Sequence, residues 1–165
     1  MRFLRNITLV LVAFATMPGF VAATGENSPP FTITISASHQ PFHAGEKMLV
    51  HVALTNVSDK TLTVSGSASS EEAEWFYAVQ VHDTNGKDAP ETEYGRAARA
   101  NAVQFGSMVT DWIKPGGKFE EGVDLNKLFD LTSPGEYEVQ LSRHISDDPK
   151  KDVVTSNKIT ITVTE

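Results

Sequence analysis

Residues 31–38 read FTITISAS, and that stretch decides the fold. Phe31, Ile33, Ile35 and Ala37 alternate with Thr32, Thr34, Ser36 and Ser38, a period of two that turns one set toward a core and the other toward water. The rhythm recurs downstream. In KMLVHVALTN (47–56), Met48, Val50, Val52 and Leu54 share one side. The opposite side, Leu49, His51, Ala53 and Thr55, is itself half apolar, which predicts a central strand. Near the end, EYEVQLS (136–142) places Tyr137, Val139 and Leu141 inward, and NKITITVT (157–164) does the same with Ile159, Ile161 and Val163. WFYAVQVHD (75–83) aligns Trp75, Tyr77, Val79 and Val81, with Trp75 and Tyr77 expected as the aromatic weights of the core.

Turn chemistry separates these runs. Asn56–Lys60, Asn85-Gly86 and Lys114–Gly117 carry the Asn, Asp, Ser, Pro and Gly residues that satisfy neighbouring backbone groups or tolerate positive φ. Short strands are expected at 61–64, at 107–113 (SMVTDWI) and at 118–123 with Phe119 inward, while 65–74 reads as a solvated acidic loop. The stretch 89–106 is the least regular, and RAARANA (96–102) suits a helical turn or two. No segment carries a 3.6-residue apolar stripe, so the pattern predicts an all-β, antiparallel sandwich of about seven to eight strands.

Asp130 to Val139 (DLTSPGEYEV) narrows the topology. Its Gly135 and Tyr137 have the spacing of a tyrosine corner, in which the hydroxyl bonds back to upstream backbone and pins a crossover between two sheets, here over 125–135.

The first 23 residues have the layout of a cleavable signal peptide. Arg2 and Arg5 form a basic start, Ile7 to Phe14 an apolar run, and Val21-Ala22-Ala23 a small-residue cleavage site. The run is too short for a ~30 Å hydrocarbon core, and Pro18-Gly19 interrupts it, so cleavage after Ala23 is expected in place of membrane insertion. Residues 24–30 (TGENSPP) read as an extended leader, and 31–165 as one domain.

Cysteine is absent, which removes disulfides, thiolate metal sites, thiol nucleophiles and a lipid-anchored cysteine. Removing Arg2 and Arg5 leaves 12 of the 14 basic residues against 21 acidic ones, a net charge of about −9 that repels nucleic acid. The expected location is the periplasm or the cell exterior.

These residues resemble immunoglobulin-like and fibronectin-like sandwiches across nearly all of 31–165. LTNVSDKTLTV, PGGKFEEGVDLNKLFDLTSPGEYEVQLSR and SNKITITV are similar to uncharacterised exported bacterial domains of this kind. The second block is also similar to the non-catalytic sandwich segment preceding some secreted metallopeptidase domains. The chain has no HExxH, lacks the inter-sheet cysteine pair of antibody domains, and places Trp75 far from the second strand. The resemblance implies an immunoglobulin-like fold and says nothing about a ligand.

Chemistry-bearing patterns are few. Ser107 follows Gly106 but lacks the GxSxG elbow of a serine nucleophile. His39, His43, Met48 and His51 have a composition suited to copper, but the strand register sends Met48 into the core and His51 to the opposite face, so no metal is expected. Glu71-Glu72, Glu120-Glu121 and Asp147-Asp148 are adjacent acids that cannot face each other across a glycosidase cleft, and they read as solvated charges. Lys150 and Lys151 compete with calcium for Asp147, Asp148 and Asp152. Asn56-Val57-Ser58 is formally a glycosylation acceptor and reads as a turn.

The expectation is therefore a non-enzymatic domain without cofactor whose loops contact an exported protein or a surface glycan. Tyr94, Arg96 and Arg99 in one long loop and Arg143 in another are the expected contact residues. Tyr137, Gly135 and Trp75 are the expected structural ones. The alternative is a protease inhibitor that presents a rigid loop to a peptidase.

Overall fold

A computed structural model describes residues 28–67, 73–100, 108–144 and 153–165. Ten strands occur among them: β1 (Phe31–Ala37), β2 (Phe42–His43), β3 (Leu49–Asn56), β4 (Leu62–Ser67), β5 (Ala78–Asp83), β6 (Met108–Ile113), β7 (Lys118–Asp124), β8 (Gly135–His144), β9 (Val153–Thr155) and β10 (Ile159–Thr164). Two short helices interrupt them, α1 (Glu93–Arg99) and α2 (Leu125–Leu128). The count exceeds the seven or eight anticipated because β2 and β9 are only two and three residues long, too short for any alternation to register.

The strands form two facing layers. One sheet has the order β1-β3-β7, with β3 in the centre as its half-apolar second face requires. The other has the order β2-β10-β8-β5, and β9 pairs with β8 beyond the end of β10. A third unit, the two-stranded ribbon β4-β6, completes the body. Every ladder is antiparallel except the short parallel one between β2 and β10. Ile33, Val52 and Leu54 from the first sheet enclose one core with Val139, Leu141 and Ile161 from the second, all buried. Met48, outside the strands, is also fully buried.

The passage from β7 to β8 is the crossover between the sheets. Asp124 caps α2 by accepting from the Asn126 amide at 3.1 Å, and the chain then runs through buried Leu131 to β8. There the Tyr137 hydroxyl donates to the Ser133 carbonyl at 2.8 Å, the bond anticipated for a tyrosine corner. Asn56 likewise works as a turn residue. Its amide donates to the Lys60 and Ile113 carbonyls at 2.7 and 2.8 Å, its oxygen accepts from Ser58, and it is almost fully buried.

Three local expectations need correction. Residues 65–67 continue β4 instead of opening a loop, because their backbone pairs with Met108–Thr110 of β6. Trp75 is not a core aromatic: Glu74–Phe76 form a 3₁₀ turn, the strand starts only at Ala78, and Trp75 is half-buried with its ring edge-on to Tyr94 at 5.3 Å. The helical turn starts earlier than RAARANA, because Thr92 supplies an N-cap whose hydroxyl accepts from the Gly95 amide at 2.9 Å. Ser107, the signal and most of the leader lie outside the described residues.

Helix α1 sits directly on α2. The Thr92 amide and hydroxyl donate to the Leu128 and Lys127 carbonyls, and a Cβ on Gly95 would lie 2.1 Å from the Leu128 oxygen, so only glycine permits this approach. The tyrosine corner gives the first test: Tyr137→Phe removes one partly buried hydrogen bond and lowers unfolding free energy by about 1 kcal/mol in urea titration, with the fold retained.

Candidate functional site

Three polar residues share the inward parity of their strands. Glu121 alternates with Phe119 and Val123 on β7, Arg143 follows Tyr137, Val139 and Leu141 on β8, and Tyr77 precedes Val79 and Val81 at the start of β5. They meet between the layers. The Tyr77 hydroxyl donates to Glu121 Oε1 at 2.6 Å, and Arg143 Nη1 lies 3.5 Å from the same oxygen and 3.4 Å from the hydroxyl. The Ser67 amide points at Glu121 Oε2 from 3.4 Å, and Arg143 Nη2 donates to the Ser65 carbonyl, so both residues grip strand β4. The guanidinium also lies over the rings of Phe76 and Tyr77, 5.3 and 5.4 Å from their centroids.

Burial governs the ionisation here. It pushes the Glu121 carboxyl above its ordinary range, against the opposing pull of the Tyr77 hydrogen bond and the Arg143 charge. The Tyr77 hydroxyl is pushed up by burial first and then by the neighbouring Glu121 charge. β4 reaches this cluster only because residue 66 is glycine, since a Cβ there would lie 2.3 Å from the Phe119 ring.

Glu121 and Arg143 therefore depart from the expectation in position. Glu120 and Glu121 do point to opposite faces, but Glu121 is buried and bonded, not solvated. Arg143 lies on strand β8 and not in a loop, with its side chain turned inward. Strand parity is the signal that places both: any residue in step with Phe119 or Leu141 must face the interior.

A second buried carboxylate sits close by. Glu74 of the 3₁₀ turn has a wholly buried side chain whose Oε1 accepts from the Tyr94 hydroxyl at 3.2 Å and pairs with Lys127 Nζ at 3.2 Å. Its Oε2 has no hydrogen-bond partner among the described residues. Tyr94 from α1, Lys127 from α2 and the 3₁₀ turn are thereby clamped together.

Beside this clamp opens a cleft of about 340 Å³ between the 3₁₀ turn, α1 and β5, walled by Trp75, Phe76, Val79, Ala98, Phe129 and Arg99. It is continuous through Val79, Arg99 and Phe129 with a second depression of about 510 Å³ that runs along β5 under Arg96. Of the expected contact residues, Arg96 and Arg99 form one exposed lip, Tyr94 packs behind it, and Arg143 lines the back wall. Arg96 Nη1 donates to the Glu91 carbonyl at 2.7 Å, and Arg99 Nη2 pairs with Glu91 Oε2 at 2.6 Å.

The histidines do not converge. His39 pairs with Glu46 at 2.6 Å, His43 Nδ1 lies 3.0 Å from the Glu165 carbonyl, and His51 is exposed on β3. Among the described residues no three His, Cys, Asp or Glu side chains come together as metal ligands. Glu71, Glu72, Asp147, Asp148 and Asp152 lie outside the described residues.

No protein-family model matches this chain, and no curated protein matches it in sequence. Among solved structures it is similar to a β-glucosidase from Listeria innocua in complex with glucose, at 14% identity and a TM-score of 0.40, over 82% of this chain and 16% of that one. It is also similar to the C-terminal domain of wzt, at 11% identity and a TM-score of 0.44, over 84% of this chain and 76% of that one.

The raised Glu121 carboxyl gives a signed prediction. Its protonated form is favoured by folding, so the stability it contributes is full below pH 4.5 and is lost as pH rises through its higher folded value. Glu121→Gln removes that dependence, and the loss of stability from mildly acidic to neutral pH becomes shallower in urea titrations at stepped pH.

Proposed function

We propose that the chain is an exported, non-enzymatic binding domain of immunoglobulin-like type, acting in the periplasm or outside the cell on a protein or a surface glycan. Export rests on the basic, apolar and small-residue succession of residues 1–23. Binding rests on one observation: Arg96 and Arg99 stand exposed on the lip of an aromatic-walled cleft. Arginine beside large aromatic rings is the composition enriched where interfaces derive most of their energy.

The lip is also well anchored. Helix α1 carrying both arginines is tied to α2 through Thr92 and the close Gly95 contact, so little order remains to be lost when a partner arrives. The test is the double substitution Arg96→Ala with Arg99→Ala. A partner recovered from cell-envelope extract with the unaltered chain is weakened or lost with the variant, while the melting temperature stays nearly constant. An unchanged set of partners rejects these residues as the contact.

A further inference from the structure

At two strand edges a side chain imitates a strand. At the edge of β1, Asn157 Oδ1 accepts from the Ile35 amide at 2.8 Å and its Nδ2 donates to the Ile35 carbonyl at 3.1 Å. At the edge of β10, Gln40 does the same, accepting from the Thr162 amide at 3.0 Å and donating to the Thr160 carbonyl at 2.8 Å. Such covers block the addition of a foreign strand.

Among the described residues, the outer edge of β5 is covered over only part of its length. The chain returning from the Asn85-Gly86 turn runs beside it, with the Asp83 amide donating to the Lys87 carbonyl at 2.8 Å and the Ala89 amide to the Val81 carbonyl at 2.9 Å. That cover stops at Pro90, which has no N–H to give, and the chain departs to bridge Phe129 from Glu91. Val79 comes next. In an antiparallel ladder, alternate residues turn their main-chain groups to the same side, so the N–H and C=O of Val79 face away from β8, as the Val81 carbonyl does. Leu141, which stands opposite Val79, agrees with this: its own amide and carbonyl bond Ser156 on the far side, at 3.0 and 2.8 Å. The Val79 N–H and C=O have no partner among the described residues, and Val79 lines both parts of the cleft.

We propose that the edge of β5 at Val79, unpaired among the described residues, takes an extended peptide as an added strand, paired to the main chain of Val79, with an acidic side chain of that peptide on Arg96 and Arg99. This deepens the binding reading above and rests on it. The arginines set the chemistry. The Arg99 side chain is 74% exposed, lines both parts of the cleft and pairs with Glu91 through Nη2, and a guanidinium carries further N–H donors besides that one. The Trp75, Phe76 and Phe129 walls take the apolar side chains that alternate with the acid along an extended strand.

The experiment uses the chain as bait for a displayed library of random short peptides, followed by amide exchange at Val79 in the presence of each recovered peptide. Recovered peptides are expected to be rich in Asp or Glu and to slow Val79 exchange by about tenfold or more. N-methylation of one alternate set of peptide amides is expected to weaken binding by about tenfold, and of the other set hardly at all. Arg96→Ala with Arg99→Ala weakens acidic peptides more than versions with Gln in place of the acid. The proposal is overturned if no peptide is recovered, if bound peptides leave Val79 exchange unchanged, or if both methylated sets bind equally. Loss of an envelope partner in the arginine variant with unaltered Val79 exchange would overturn the strand pairing alone and leave the binding reading standing.

Discussion

The carboxylate of Glu121, buried between the layers, is the constraint on which the arrangement of this domain depends. A charged group in that position is costly unless its oxygens are bonded and its charge is offset, and each requirement recruits a different strand. Tyr77 reaches it from the start of β5, Arg143 from β8, and the Ser67 amide from β4, while Glu121 itself belongs to β7. The two sheets and the β4-β6 ribbon are thus fixed at one point. Removing a single partner leaves a buried charge or hydroxyl without compensation, so the cluster specifies position more than it adds stability.

From that point the constraint passes outward to the cleft. Arg143 lies over Phe76, which holds the 3₁₀ turn, and Glu74 in the same turn holds Tyr94 and Lys127. Helix α1 is consequently fastened both to the turn and to α2. Arg96 and Arg99 are carried by that helix, so the exposed lip inherits its orientation from groups wholly inside the fold.

Much of the architecture is readable in the sequence because period-two alternation is a local property. Phe31 to Ala37, Met48 to Leu54 and Tyr137 to Leu141 each announce a strand and its buried face, and Gly135 with Tyr137 announces the crossover. The shortest strands, β2 and β9, are not readable, since two or three residues hold no period. Trp75 misleads because an aromatic in step with Tyr77 mimics a strand, whereas Glu74 draws the chain into a turn to reach Tyr94 and Lys127. The site is legible in part. Residue type singles out Arg96, Arg99 and Tyr94, but it misses the interior roles of Glu121 and Arg143. Their charge suggests solvent where their parity dictates burial, and their partners lie far away in sequence. That Val79 has no main-chain partner among the described residues depends on where a neighbouring segment departs, which no local pattern records.

Amide exchange across the β4-β6 ribbon in Glu121→Ala tests the central claim most directly. If Glu121 fixes the ribbon, amides of Leu62–Ser67 and their β6 partners lose protection selectively, while the β1-β3 ladder keeps its own. Equal loss of protection in both places, or none in either, would contradict it.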